Sequence, residues 1–344
     1  MTVRSFADTS SVSLAYAIGD GTAAADFSAV DFNYLPYTTE GFQMSKEPKT
    51  PTAITSDRRP TGSKNTKGSA SGAATIEFGA APFVLDMLSM ALMNDWALVD
   101  DLDPTKGTYL IDGEVKKFMA VEKTSKSGPA TTDKLYHERY YGTLVNDMSM
   151  EFGDGELITM ALNTISMFAD YANAVAGANG LGGSIARAKL APADYEIADS
   201  SNNLKSLVVK DENAVALPMT FSDASLQIQN NAREQPGLGS EFAAGVGFGR
   251  VGVTLSGEIY FYDQTVLDAH MQNKRLSAEM QLETAEGIFT IKLPNLMSQS
   301  PTNSADGENQ DYKTQLTLVA EKGQVTLDGT NYDCVICITY VQKP

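Results

Sequence analysis

The chain has 344 residues, 42% hydrophobic and 20% charged, which is apolar material for one large core or two ordinary ones. Forty-three acids against 26 basic residues give a formal charge of −17, and that sign argues against a protein built to grip nucleic-acid phosphates. No apolar run approaches the roughly 20 residues of a membrane-spanning helix, and the first 21 residues read as a poor secretory signal, so synthesis in the cytoplasm is expected.

With 28 Gly, 13 Pro and short blocks of Thr, Ser and Val, the composition predicts β-structure and few helices. Near Phe42 a short strand pattern runs into a Pro/Gly/Ser/Lys-rich loop, 47–68, and then a strand, 69–78. Phe83, Met87, Met90 and Ala91 recur at spacings of three and four behind Pro82, which predicts a helix over 82–93. Strands follow at 117–124, 140–152 and 157–167. The small, Gly-rich stretch 169–183 reads as a linker and divides the chain into 1–172 and 173–344.

The second part repeats the order of the first. Leu226 and Ile228 alternate with Ser225, Gln227 and Gln229 in a strand over 225–230. A Gly-rich loop, 231–249, leads to a strand, 251–261, and a short helix, 265–272, carrying Val266, Leu267 and Met271. Strands are expected at 277–284, 288–293, 312–319 and 334–341. Superposing Ser71-Gly72 on Ser256-Gly257 gives an offset of 256 − 71 = 185, about half the chain, so a duplicated fold is expected.

Catalytic chemistry finds little material. The Gly clusters at 177–183 and 245–249 lack the flanking strand, helix and acid of a dinucleotide fingerprint and the Gly-Lys-Ser/Thr of a P-loop. Two histidines, His137 and His270, leave no zinc site or His-based triad, so neither an enzyme nor a metal or cofactor is expected. Asp95, Asp100, Asp101 and Asp103 lack the ligand spacing of a calcium loop and read as a solvated acidic loop. Cys334 and Cys337 have C-x-x-C spacing, but on a period-two strand residues three apart face opposite sides.

Two features carry more information. Asp147 and Glu151 flank Ser149 on a face opposite Met148, Met150 and Phe152, while Glu279 and Glu283 lie opposite Ala278, Met280 and Leu282. Glu77 and Glu258 take the polar face of the strands that follow the two long loops. Pattern alone makes these an ordinary wet sheet face. Segment 42–72 runs against the global charge: Lys46, Lys49, Arg58, Arg59, Lys64 and Lys67 against Glu47 and Asp57 give 6 − 2 = +4. A long basic loop in an acidic chain reads as an arm reaching an acidic neighbour.

Several segments together resemble a known family. Glu47-Pro48, Ile54-Thr-Ser-Asp-Arg-Arg-Pro60, Gly68-Ser-Ala-Ser-Gly72 and Asn94-Asp-Trp96 stand in the first half. Leu226-Gln-Ile-Gln-Asn-Asn-Ala-Arg233, the Gly-rich 245–251, Val253-Thr-Leu-Ser-Gly257, Ile291-Lys-Leu-Pro294 and Asn309-Gln-Asp311 stand in the second. These resemble the tail tube proteins of long-tailed bacteriophages, of the larger type, over most of 42–319; segments 100–116 and 323–332 fit less well. The resemblance implies a mainly β chain holding two tail-tube folds, each a β-sandwich or half-barrel with a flanking helix and a long inter-strand loop. It implies stacked rings in the virion, with four inner strands per fold joined into one barrel, and three duplicated chains in place of six simple ones. DNA would pass without specific binding, and the implied partners are the tape measure, tail terminator and distal tail proteins. On this reading Glu77, Asp147, Glu151, Glu258, Glu279 and Glu283 line the channel, and Arg58, Arg59, Lys64 and Lys67 form an inter-ring arm. The alternative is a β-sandwich adhesin or carbohydrate-binding module working through exposed aromatic loops; a hydrolase would need two acids converging in a pocket.

Overall fold

The computed structural model describes residues 12–19, 21–27, 30, 32–52, 59, 62–126, 134–175, 195–262, 264–304 and 311–343. The first half contains strands β1 (Val12–Gly19), β2 (Asn33–Leu35), β3 (Thr39–Glu40), β4 (Gln43–Lys49) and β5 (Lys64–Glu77), then helix α1 (Pro82–Leu92). After it come β6 (Ala97–Leu98), β7 (Thr108–Ile111), β8 (Phe118–Lys126), β9 (Lys134–Gly153), β10 (Thr159–Ser166) and β11 (Phe168–Val175). The second half contains β12 (Leu204–Lys210), β13 (Phe221–Gln229), β14 (Arg233–Pro236), β15 (Ala243–Gly247) and β16 (Gly252–Tyr260), then helix α2 (Thr265–Met271). It ends with β17 (Leu276–Glu283), β18 (Gly287–Ser304), β19 (Lys313–Ala320), β20 (Gly323–Leu327), β21 (Thr330–Cys334) and β22 (Cys337–Gln342). The fold is mainly β, with two α-helices among the described residues.

One order of pairing occurs in both halves. Strands β4, β5, β10, β9 and β8 are successive antiparallel neighbours, and so are β13, β16, β19, β18 and β17. In each run a helix follows the second strand, and the helix starts, Pro82 and Thr265, give an offset of 265 − 82 = 183. β9 also pairs with β13, which joins β4–β5–β10–β9–β13–β16–β19–β18 into one continuous sheet of eight strands.

Two long strands leave this sheet for a second one. The first half of β9 pairs with β8 and β11, its second half with β10 and β13. The changeover lies at Gly142, where a left-handed φ of 58° and a tight approach to Met167 and Thr22, 3.1 Å from a Cβ placed there, favour glycine. β18 does the same: it pairs with β22 and β17 up to Leu293, keeps one further β17 partner at Leu296 across a bulge, and pairs with β19 from Leu296 onward.

Period-two burial explains the layers. Ala74 and Ile76 of β5, Met148 and Met150 of β9, Met160 and Leu162 of β10, Leu226 and Ile228 of β13 and Leu316 and Leu318 of β19 all point to one side of the eight-strand sheet. They share a core with Phe83, Val84, Met87 and Leu88 of α1 and with Met280, Phe289 and Ile291 of the second layer. α1 starts with Pro82 in its first turn and stops at Met93, whose left-handed φ of 52° lets the following Asn94 N–H return to the Ser89 carbonyl at 3.3 Å.

The side sheet built from β1, β8, β9 and β11 hides a charged pair. Glu122 and Arg139 are directly opposed across β8 and β9, joined by Arg139 Nε donating to Glu122 Oε2, with side chains only 0% and 2% exposed. The Arg139 guanidinium also lies 5.0 Å from the Phe32 ring centre. Removing one member strands a charge in a site water cannot reach, so Glu122→Ala should lower unfolding free energy by about 3–5 kcal/mol. Urea unfolding of the dilute, unassembled protein measures this.

Several sequence expectations change. β5 begins at Lys64, so the far end of the long loop is strand, paired with β4. Residues 169–175, expected to open the linker, belong to strand β11 on β9, where Phe168 stacks on Tyr141 and Ala169 is buried; 176–183 lie outside the described residues. Alternation predicts that Cys334 and Cys337 point apart, yet both are buried in one small cluster with Val325 and Leu327. The strand breaks at Val335 and Ile336, whose N–H groups both donate to Asp112 Oδ1, so alternation does not carry across. Burial pushes the thiols up to about 12 and about 11, which makes them poor nucleophiles. Segments 100–116 and 323–332, which fit the resemblance less well, meet each other: Lys106 bridges Asp100 and Asp328 at 2.8 Å each, and Tyr109 packs on Tyr332.

Candidate functional site

The face of the eight-strand sheet opposite the core is polar, and its residues are half-buried to exposed. Its cross-strand register places Glu77, Thr159, Glu151, Ser225, Ser256, Thr317 and Gln299 in one row. A second row holds Thr75, Ala161, Ser149, Gln227, Thr254 and Val319, and a third holds Asn163, Asp147 and Gln229. Four of the six expected acids, Glu77, Asp147, Glu151 and Glu258, therefore share one face of one sheet.

Glu279 and Glu283 lie elsewhere in the fold. They belong to β17, which lies between β12 and the first part of β18 in the second layer. Lys210 Nζ lies 2.8 Å from Glu279 and Lys343 Nζ 2.9 Å from Glu283, and these hydrogen bonds hold both carboxyls below the usual range.

Two groups missed in the sequence join the face. Asp223 stands across from Glu258 and accepts the Glu258 N–H at 3.1 Å; it precedes the expected strand start at Ser225, although it has the same parity. Lys313 pairs with Glu258 at 3.1 Å and is a cation set among the acids. Ser225 Oγ donates to Glu151 at 3.0 Å, and Asn146 Nδ2 donates to Asp147 at 2.7 Å. At the end of the face marked by the 153–159 turn, Glu151, Glu156, Asp223 and Glu258 border a cavity of about 530 Å³ without a Lys or Arg in its lining.

The opposite end carries the arm. Beyond Ala70, β5 leaves β10 and runs with β4 alone, so six residues from Lys64 to Ser69 extend roughly 20 Å past the sheet. The second long loop folds into the β14–β15 hairpin and leans on the root of this arm. Lys46 pairs with Glu241 at 2.5 Å, Lys67 approaches Glu234 at 3.8 Å, and the Gly68 N–H donates to the Glu241 carbonyl at 2.8 Å. A Cβ at Gly68 would stand 2.7 Å from the Phe242 ring, so any larger residue there would have to displace that ring. Of the four expected arm residues, Lys67 thus has a partner within its own chain, Arg59 and Lys64 are exposed, and Arg58 lies outside the described residues.

Among the described residues no group of three His, Cys, Asp or Glu side chains is arranged to hold a metal ion, and no helix is long and apolar enough to cross a membrane. Comparison with curated proteins gives no match. A family model described as phage tail tube protein matches residues 8–328, nearly the whole chain. A mainly β chain with one polar sheet face agrees with that match: the chain belongs to the phage tail tube protein family and is a structural component of the virion that assembles into the tail tube.

Proposed function

We infer that the chain carries two tail-tube repeats, about residues 1–172 and 173–344, and that three copies close one ring. The observation that carries this is the eight-strand sheet. One repeat supplies β4, β5, β10 and β9, the other β13, β16, β19 and β18, and the two meet edge to edge at β9 and β13. The outer edges, β4 and the last part of β18, take no strand partner among the described residues. The same junction repeated between chains turns three sheets into one closed barrel of 3 × 8 = 24 strands, which removes both edges.

Such a barrel, with strands ~4.8 Å apart and tilted ~40°, has a backbone diameter of roughly 48 Å and a bore of roughly 38 Å after side chains. A DNA duplex of roughly 20 Å passes without contact on all sides. With the apolar face turned to the core, Glu77, Asp147, Glu151 and Glu258 face the bore, together with Ser, Thr, Gln and Asn. Such a wall repels phosphates and gives them no counterion-releasing site. Within the virion the tape measure protein occupies this bore before DNA, and the tail terminator and distal tail proteins cover the tube's ends. The basic arm, Arg58, Arg59, Lys64 and Lys67, reaches the neighbouring ring.

Negative-stain imaging of purified protein tests this reading. Rings or tubes with a central channel are expected as concentration rises. A stable monomer that binds glycans would favour an adhesin or carbohydrate-binding module.

A further inference from the structure

Where β9 meets β13 inside the chain, the helix of the first repeat also packs against the second repeat. Asn230 Nδ2 donates to the Ala91 carbonyl of α1 at 2.9 Å, and the Phe78 and Phe289 rings meet edge-on with centres 5.1 Å apart. Val84 and Leu88 of α1 are fully buried in one core with Phe289, Ile291 and Ile338. The offset of 183 takes Val84 and Leu88 to Leu267 and Met271 of α2. The register of β9 on β10 and of β18 on β19 gives 302 − 149 = 153, which takes Phe289 and Ile291 back to Tyr136 and Glu138. Ile338, opposite Ile291, then corresponds to Tyr171, opposite Glu138. These counterparts are open to water: Met271 is 71% exposed, Tyr171 is 69% exposed, and Leu267 and Tyr136 are exposed as well. Tyr136 and Tyr171 join Phe42 and Met44 around a cavity of about 450 Å³ beside the edge strand β4. Leu267 and Met271, four residues apart, share one face of α2, and α2 lies over the other edge strand, with His270 Nδ1 2.9 Å from the Ser298 carbonyl of β18. Seven strand spacings of ~4.8 Å, roughly 34 Å, separate the two edges, so a chain cannot bring its own α2 to its own cavity.

We propose that Leu267 and Met271 of α2 insert into the cavity walled by Phe42, Met44, Tyr136 and Tyr171 on the adjacent copy in the same ring. The proposal rests on the tail-tube reading and adds to it a side-chain contact behind the β4–β18 joint. Backbone pairing alone accepts any exposed strand edge. A knob on one edge and a pocket on the other decide which edge meets which, and so favour the head-to-tail closure of a ring over pairing of like edges. Taking the apolar α2 face and the aromatic walls out of water drives the contact. Methionine suits the place, since its flexible thioether fills irregular space and packs well against aromatic rings. Tyrosine at 136 and 171, where the buried counterparts are Phe289 and Ile338, keeps a polar tip in water while the chain is alone.

A double-mutant cycle on ring formation tests this. Leu267→Ala/Met271→Ala and Tyr136→Ala/Tyr171→Ala should each raise the protein concentration needed for rings at least tenfold. Urea unfolding of the dilute chain should stay close to wild type, because all four side chains are exposed there. The four-fold variant should need no more than about threefold beyond either pair, since both pairs remove one and the same contact. Leu102→Ala, exposed and outside the patch, should form rings as wild type does. In wild-type rings dilute hydrogen peroxide should convert Met271 to its sulfoxide at least tenfold more slowly than in the single chain, as read by peptide mass spectrometry. Rings of Leu267→Ala/Met271→Ala at wild-type concentration, effects of the two pairs that simply multiply, or equal oxidation of Met271 in rings and single chains would each overturn the proposal. Where a variant fails to fold, the oxidation of the wild-type protein decides. Absence of rings from the wild-type protein at any concentration would instead count against the tail-tube reading, so the two failures are distinct.

Discussion

Cysteines placed at Gln43 and Thr302 should cross-link neighbouring copies into a covalent ring of three. The template is inside the chain, where Ser149 of β9 stands opposite Gln227 of β13. Ser149 lies across from Ala161, two positions beyond Thr159, which faces Glu77. Thr302 lies across from Gln315, two positions beyond Lys313, which faces Tyr260. Tyr260 and Glu77 give 260 − 77 = 183, the same offset as the two helix starts, so Thr302 is the counterpart of Ser149. The same offset takes Thr254, opposite Gln227, to Ser71, opposite Gln43.

The pair Ser149→Cys/Gln227→Cys should therefore close within one chain and serves as the geometric control, since directly opposed strand residues bring their Cβ atoms to about 4.5–5.5 Å, close to disulfide reach. Under oxidising conditions Gln43→Cys/Thr302→Cys should run without reductant at three times the 36.9 kDa mass of one chain. A mixture of the two single variants should stop at dimers. Cys334 and Cys337, buried and with raised thiol pKa values, should not compete. If the control closes and the edge pair yields only single chains, β4 and β18 do not meet in the ring.

The second large effect concerns the bore. Asp147→Lys, Asn163→Lys, Gln227→Lys and Thr254→Lys change two rows at mid-height of the polar face, away from the rim acids. Three copies then present 3 × 4 = 12 new lysines per ring on a wall that had none at these positions. Lysines at the bore surface release condensed counterions from passing DNA, and engagement of 6–10 phosphates makes binding fall about 10³–10⁵-fold between 50 and 200 mM salt. Tubes of this variant should retain DNA at low salt and release it steeply as salt rises, where wild-type tubes retain none. Glu279→Lys/Glu283→Lys, altered on the second layer, should behave as wild type. Equal retention by both variants would remove the polar face from the bore.

Much of this architecture is legible in the residues because alternation is a local signal. The helix behind Pro82, the polar parity of Asp147, Ser149 and Glu151, and the recurring strand-loop-strand-helix order all follow from spacing alone. Alternation does not say to which sheet a strand belongs, and this is why it groups Glu279 and Glu283 with acids on another layer. That assignment depends on β18 turning from one sheet to the other near Pro294, a tertiary event. The pairing of Lys46 and Lys67 with Glu241 and Glu234 joins segments far apart in sequence, so the arm's net +4 overstates the charge left for a neighbour. Asp223 escapes for a smaller reason: its strand starts earlier than its alternating apolar residues do, at Phe221.

The mass of one isolated ring tests the central claim most directly. Two repeats per chain, with eight strands in one sheet, require three chains, and so three times 36.9 kDa and 3 × (−17) = −51 formal charges. Native mass spectrometry of rings released from tubes should give that value. A ring of six full chains, at six times 36.9 kDa, would contradict the account even though the protein still formed a tube.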